Sequence, residues 1–133
     1  MSYLVDSDVL IAHREGQASA IVVLEQLAPA GLAISIVTYM EVYQGTLRGP
    51  DPVQAQVNLA IFLAGVPVVP FSLAAARRCA ELREELTRQG RRVRALALDL
   101  VTAAIALETG FTLVTRNRQD YEDISGLALY VPD

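Results

Sequence analysis

The chain reads as an α/β fold with a mostly parallel central sheet of four to five strands. Three observations point there. Short apolar or β-branched runs alternate with longer helix-like segments along the whole chain. Strands joined by helices pair in parallel through right-handed crossovers. Acidic or amide side chains also recur where such runs end: Asp6 after Tyr3-Leu4-Val5, Glu41 beyond Leu32–Val37, and Asn117 and Asp120 after Phe111–Val114.

Each element has its own reason. Tyr3–Asp6 is a short buried strand, followed by a short helix over Val9–Glu15 and a second over Ala18–Leu27 that Pro29 and Gly31 break. Leu32–Val37 is the second strand. Thr38 then caps a helix that carries Glu41 and runs through Leu47. Gly49-Pro50-Asp51-Pro52 is a turn in which Asp51 caps a helix near Val53–Ala64, with proline at its first position. Val66–Pro70 is a third strand, and Ser72 caps a long helix to about Gln89 that Gly90 closes. The Leu96–Thr109 helix stops at Gly110. Phe111–Thr115 and Ala128–Val131 complete the strands.

At 133 residues and 53% hydrophobic, the chain (residues 1–133) is expected to be a single domain with a substantial core. No apolar run approaches the roughly 20 residues of a membrane span. The amino terminus, Met1-Ser2-Tyr3-Leu4-Val5-Asp6, lacks a signal-peptide layout, and one cysteine excludes an internal disulfide framework, so a cytoplasmic protein is expected. The net charge of −4 argues against a protein that coats nucleic acid. Every cation is arginine, and seven of the eleven lie between Arg77 and Arg94. Glu81, Glu84 and Glu85 can pair with those on the helix, whereas Arg91, Arg92 and Arg94 have no acid nearby until Asp99 and point toward a partner or substrate.

The acids carry the functional signal. Asp6, Glu41 and Asp99 lie where a parallel sheet would bring them together, with Asn117 and Asp120 beside them, since ligand crevices open beyond the carboxyl ends of strands. Singly each has a plain reading, as a helix cap for Asp6 or an exposed helix former for Glu41. Asp99 is different, because it stands between leucines on a face shared with Thr102, Ala103 and Ala106. Burying a carboxylate there is costly unless something compensates it. A carboxylate cluster without basic neighbours repels itself unless a cation sits between the charges. The set therefore reads as a divalent-metal site. The oxygen donors suit Mg²⁺ or Mn²⁺, and the single His13 and single Cys79 leave no zinc set. His13 reads as a surface or structural residue and Cys79 as a core filler, while Asp8 either adds charge to the site or, the favoured reading, caps the first helix.

Four segments, in order along the whole chain, make it resemble PIN domains, and among them the VapC-type ribonuclease toxins of toxin–antitoxin pairs. They are Leu4–Ile11, Ser35–Gly45, Leu98–Ala106 and Thr112–Tyr121. The resemblance implies a three-layer α/β/α fold and an endoribonuclease dependent on Mg²⁺ or Mn²⁺. It maps the metal-binding acids onto Asp6, Glu41 and Asp99, and a fourth site position onto Asn117 or Asp120. Thr115 matches a strand-end hydroxyl that holds Asp6 or a water. With no histidine base, metal-activated water is expected to attack phosphorus in line, leaving 5′-phosphate and 3′-hydroxyl ends. A cognate antitoxin and a homodimer paired through the Val53–Ala64 and Ser72–Leu86 helices are expected as well. Arg116 and Arg118 flank Asn117 and are expected to hold substrate phosphates.

Other readings are a stand-alone RNA-processing PIN nuclease, a degenerate PIN binding module and a haloacid-dehalogenase-type phosphatase. The last is suggested by Asp6-Ser7-Asp8, but it requires a lysine that this chain lacks.

Overall fold

A computed structural model describes residues 2–132. The strands β1 (Tyr3–Val5), β2 (Leu32–Ser35), β3 (Val68–Val69), β4 (Thr112–Val114) and β5 (Leu129–Tyr130) form one sheet. Its order is β3-β2-β1-β4-β5, and every pair is parallel. Seven α-helices connect the strands: α1 (Ser7–Arg14), α2 (Ala18–Leu27), α3 (Ile36–Thr46), α4 (Pro52–Phe62), α5 (Leu73–Arg88), α6 (Ala97–Thr109) and α7 (Arg118–Tyr121).

Alternation along the strands builds the layers, because successive side chains point to opposite faces. Leu4, Ala33 and Leu113 enter one core, packed with Ala75, Cys79, Leu82 and Leu86 of α5 and with Leu100, Ala103 and Ile105 of α6. Their neighbours Val5, Ile34 and Val114 enter the other, against residues of α1, α2, α3 and α4. The sheet therefore lies between two helical layers, as a three-layer α/β/α fold requires. Cys79 fills the first core, as its small neighbours suggested.

The helix starts follow local chemistry. Asp51 accepts a hydrogen bond from Gln54 N at 3.1 Å with Pro52 opening α4, and Ser72 accepts one from Ala75 N at 3.1 Å at the head of α5. Gly110 closes α6 at φ 76°, a left-handed conformation that costs glycine little. The structure moves one boundary. The second strand ends at Ser35, and Ser35, not Thr38, caps the following helix by accepting from Thr38 N at 3.1 Å. Ile36 and Val37 look strand-like by propensity, but the capping serine before them turns the chain into α3.

The first helix also begins earlier than the sequence suggested, at Ser7, and its cap is Asp6. Asp8 lies inside the first turn instead of capping it. The long α5 does not offer spare apolar surface either. Ala75, Cys79, Leu82 and Leu86 are all buried, and of its large apolar residues only Leu73 is exposed. Exposed apolar residues cluster on and just after α3 (Ile36, Met40, Tyr43, Leu47) and on α4 (Val53, Val57, Ile61), with others scattered singly on α1, α2 and α6. No helix among the described residues is long and apolar enough to cross a membrane.

Candidate active site

The strand order reverses at β1: the chain steps outward to β2 and β3, then returns to β4 on the other side. In open parallel sheets a ligand crevice opens at this switch point, beyond the strand carboxyl ends. Asp6 directly follows β1 and Thr115 directly follows β4. Thr115 Oγ1 donates to Asp6 Oδ2 at 2.9 Å, and Ser7 N donates to Asp6 Oδ1 at 2.9 Å. Asp6 is thus both the cap of α1 and a buried carboxylate at the switch point.

Asp99, in the first turn of α6, arrives from the other helical layer. The Tyr121 hydroxyl joins the pair, 3.2 Å from Asp6 Oδ2 and 3.1 Å from Asp99 Oδ1. The two carboxylate oxygens are therefore no further apart than the sum of those distances, well inside the span of about 10 Å that a cation and its water shell could bridge. A buried hydroxyl cluster locks the helices that carry the acids. Ser35 Oγ lies 3.1 Å from Thr102 Oγ1 and 3.3 Å from Thr38 Oγ1, tying the start of α3 to α6 one turn from Asp99.

The electrostatics are those of crowded acids. Burial, then the charge of Asp8 and more weakly that of Asp99, pushes the Asp6 carboxyl up to about 6 against the hydrogen bonds from Thr115 and Ser7. Asp99 is raised by burial first. The Tyr121 hydrogen bond opposes this, and the neighbouring acids Asp120 and Glu41 raise it further. Burial and the charges of Asp6 and Asp99 raise Tyr121, so its phenol keeps its proton and acts as a donor.

The remaining candidates fall at graded distances. Asp120 on α7 shares a side-chain hydrogen bond with Asp99 and acts on it through its charge, whereas Glu41 on α3 acts through charge. Glu41 also lines a groove with Ile11, Arg14 and Arg48. Among the described residues no group of three or more His, Cys, Asp or Glu side chains stands close enough to hold a metal ion. The structure joins Asp6 and Asp99 through the Tyr121 hydroxyl, whereas Glu41 acts on Asp99 through its charge. Asn117 is exposed, its N–H donating to Thr115 Oγ1 at 3.0 Å. It lines an open polar groove with Arg116, Arg118, Gln119, Asp120 and Glu122.

Asp8 does not cap α1, but its charge does act on Asp6. Its Oδ1 accepts from Val9 N at 2.7 Å and its Oδ2 from Arg116 N at 3.0 Å, pinning the chain after β4 to the start of α1. Burial raises the Asp8 carboxyl against those bonds. The Arg116 guanidinium turns toward the start of α2, bonding Gln17 Oε1 at 3.1 Å and Ser19 Oγ at 3.3 Å. Arg118 pairs with Glu122 at 3.5 Å on the surface. Arg91, which has no acid near it in sequence, bonds Asp123 across the fold. Arg92 and Arg94 are exposed. His13 packs at 5.0 Å from the Phe62 ring, away from the acids, and burial followed by the Arg14 charge lowers it.

A PIN domain family model matches residues 3–127 of the chain. The chain belongs to the PIN domain family. Within that family it is 28% identical over 130 residues to the tRNA(fMet)-specific endonuclease VapC of Shigella flexneri, covering 96% of this chain and 95% of that one. It is 31% identical over 134 residues to the ribonuclease VapC2 of Rickettsia felis, covering 97% and 96%. Among solved structures it superposes on VapBC2 from Rickettsia felis, bound to a DNA fragment from their promoter, with a TM-score of 0.88, 30% identity and full coverage of both chains. This PIN domain therefore carries its paired acids on the fold shared with VapC proteins.

The sequence did not single out Tyr121. An aromatic after Asp120 reads as core filler, and nothing in its spacing shows a hydroxyl reaching across to Asp6 and Asp99.

Proposed function

We propose that this PIN domain is an endoribonuclease dependent on Mg²⁺ or Mn²⁺ and the toxin of a toxin–antitoxin pair. The observation that carries the reading is the convergence of a buried carboxylate, Asp6, and a half-buried one, Asp99, at the switch point of the sheet. The names endonuclease and ribonuclease borne by its relatives support an RNA substrate.

The donor set fits a hard dication. Asp6 and Asp99 offer oxygen, are raised by burial and by neighbouring acids, and Mg²⁺ keeps several of its waters when one or two carboxylates hold it. Asp6 and Asp99 would hold the ion, with Glu41 and Asp120 adding negative charge beside them. Such an ion supplies a lowered pKa for the attacking water and charge at the leaving oxygen.

The chain's own residues do the rest. Thr115 and Ser7 fix the Asp6 carboxylate, and Asp8 holds the strand end at Arg116 in register with α1. Asn117 lines the groove, and Arg116 and Arg118, which here bond Gln17, Ser19 and Glu122, would exchange those partners for phosphates on either side of the cut, offsetting the negative pocket. Cleavage is expected to leave 5′-phosphate and 3′-hydroxyl ends.

The kinship with VapBC2 supports a cognate antitoxin, and the apolar residues left open on α3 and α4 support a homodimer. A cytoplasmic location follows from this function. The test is product analysis of end-labelled RNA incubated with Mg²⁺, with and without chelator. Chelator-sensitive cleavage to 5′-phosphate ends supports the reading, whereas 2′,3′-cyclic phosphate ends or chelator-resistant cleavage reject it.

A further inference from the structure

We infer that Tyr121 is a positioning residue that sets how Asp99, and through it the Asp6–Asp99 pair, meets a divalent cation. The inference rests on the metal reading above and assigns a task to a side chain outside the acidic set. Asp6 and Asp99 come from distant parts of the chain, the end of β1 and the first turn of α6. Tyr121, at the end of α7, touches both. Tyr121 is 1% exposed and belongs to the core that holds Leu4, Leu100 and Ala103, so its hydroxyl is a fixed point against which the two carboxylates set.

The hydroxyl has one proton for two acceptors. Asp6 already receives Ser7 N and the Thr115 hydroxyl, whereas Tyr121 is the donor that faces Asp99. The charged groups around Asp99, namely Asp6, Asp120 and Glu41, are all acids, so beside the hydrogen bond it shares with Asp120 the Tyr121 hydroxyl is the neutral donor that supports its carboxylate. The hydroxyl therefore does most for Asp99, holding Oδ1 so that the carboxylate stays turned toward Asp6. Hydrogen bonds that orient a ligating carboxylate in this way typically change metal affinity by about 10- to 100-fold.

The experiment is calorimetric titration of the full chain with Mn²⁺, comparing wild type with Tyr121→Phe, Asp6→Asn and Asp99→Asn. Phenylalanine keeps the packed ring, and the metal-free melting temperature checks the fold. The expected result is a Kd for Mn²⁺ raised about 10-fold or more in Tyr121→Phe, with a correspondingly smaller Mn²⁺-induced rise in melting temperature. An unchanged or tighter Kd in Tyr121→Phe, while Asp99→Asn loses binding, overturns the inference and leaves Tyr121 as core packing alone. If Asp6→Asn and Asp99→Asn bind Mn²⁺ like wild type, the metal reading fails and takes the inference with it.

Discussion

Asp6 illustrates how one residue at a strand end serves the fold and the site together. Its carboxyl, raised from 3.8 to about 6, is held protonated more tightly in the folded chain than in the unfolded one. The sign follows directly: Asp6 stabilises the metal-free fold most below the unfolded value, and that contribution, of about 3 kcal/mol, is lost as the pH rises through about 6. Asp8 and Asp99 are raised as well and act in the same direction. Melting temperatures in chelator should therefore fall between pH 4.5 and 7.5, and Asp6→Asn should flatten the slope; a wild-type profile that is already flat would contradict this. Arg116→Ala should weaken RNA binding on all sequences and lower the log–log salt slope by about one. An unchanged slope in filter-binding assays would confine Arg116 to its bonds with Gln17 and Ser19. Asp6 and Asp99 were legible in the sequence because a strand-end acid and an acid between leucines are unusual. Tyr121 and the Arg91–Asp123 pair were not, since each depends on contacts that only the folded chain creates.

Among the elements, the caps of α4 and α5 were plain in the sequence, because Asp51-Pro52 and Ser72 are strong local signals. The start of α3 was misplaced because β-branched Ile36 and Val37 favour a strand until Ser35 and its buried partners are considered. The four-residue α7 is too short to show a period. Ser35 matters beyond its cap, since its hydroxyl also meets Thr102 on the helix that presents Asp99. Ser35→Ala should cost about 1–3 kcal/mol, read as a lower urea midpoint with an unchanged slope. It should also loosen the registration of α3 against α6, lowering cleavage more than a surface change of equal stability cost. Wild-type stability in Ser35→Ala would show that the cluster contributes nothing to the junction.

For the whole molecule, the sheet order brings together acids that lie more than ninety residues apart in the chain, and the alternation of strand faces was readable from the apolar runs. The surface available for assembly was not, because sequence does not say which apolar residues the core takes up: those of the charged α5 are spent on it, whereas the uncharged α4 exposes Val53, Val57 and Ile61. If those residues join two copies, Val57→Arg should convert a dimer to a monomer in light scattering; a variant that stays dimeric moves the interface elsewhere. The central claim is that Asp6 and Asp99 share a cation that drives RNA cleavage. RNA cleavage by wild type and Asp99→Asn across one Mn²⁺ series, beside their metal-free melting temperatures, tests it most directly. The account predicts that Asp99→Asn cleaves at least about 100-fold more slowly while melting higher than wild type without metal, because one of two facing charges is gone. Equal cleavage at saturating Mn²⁺ would contradict it.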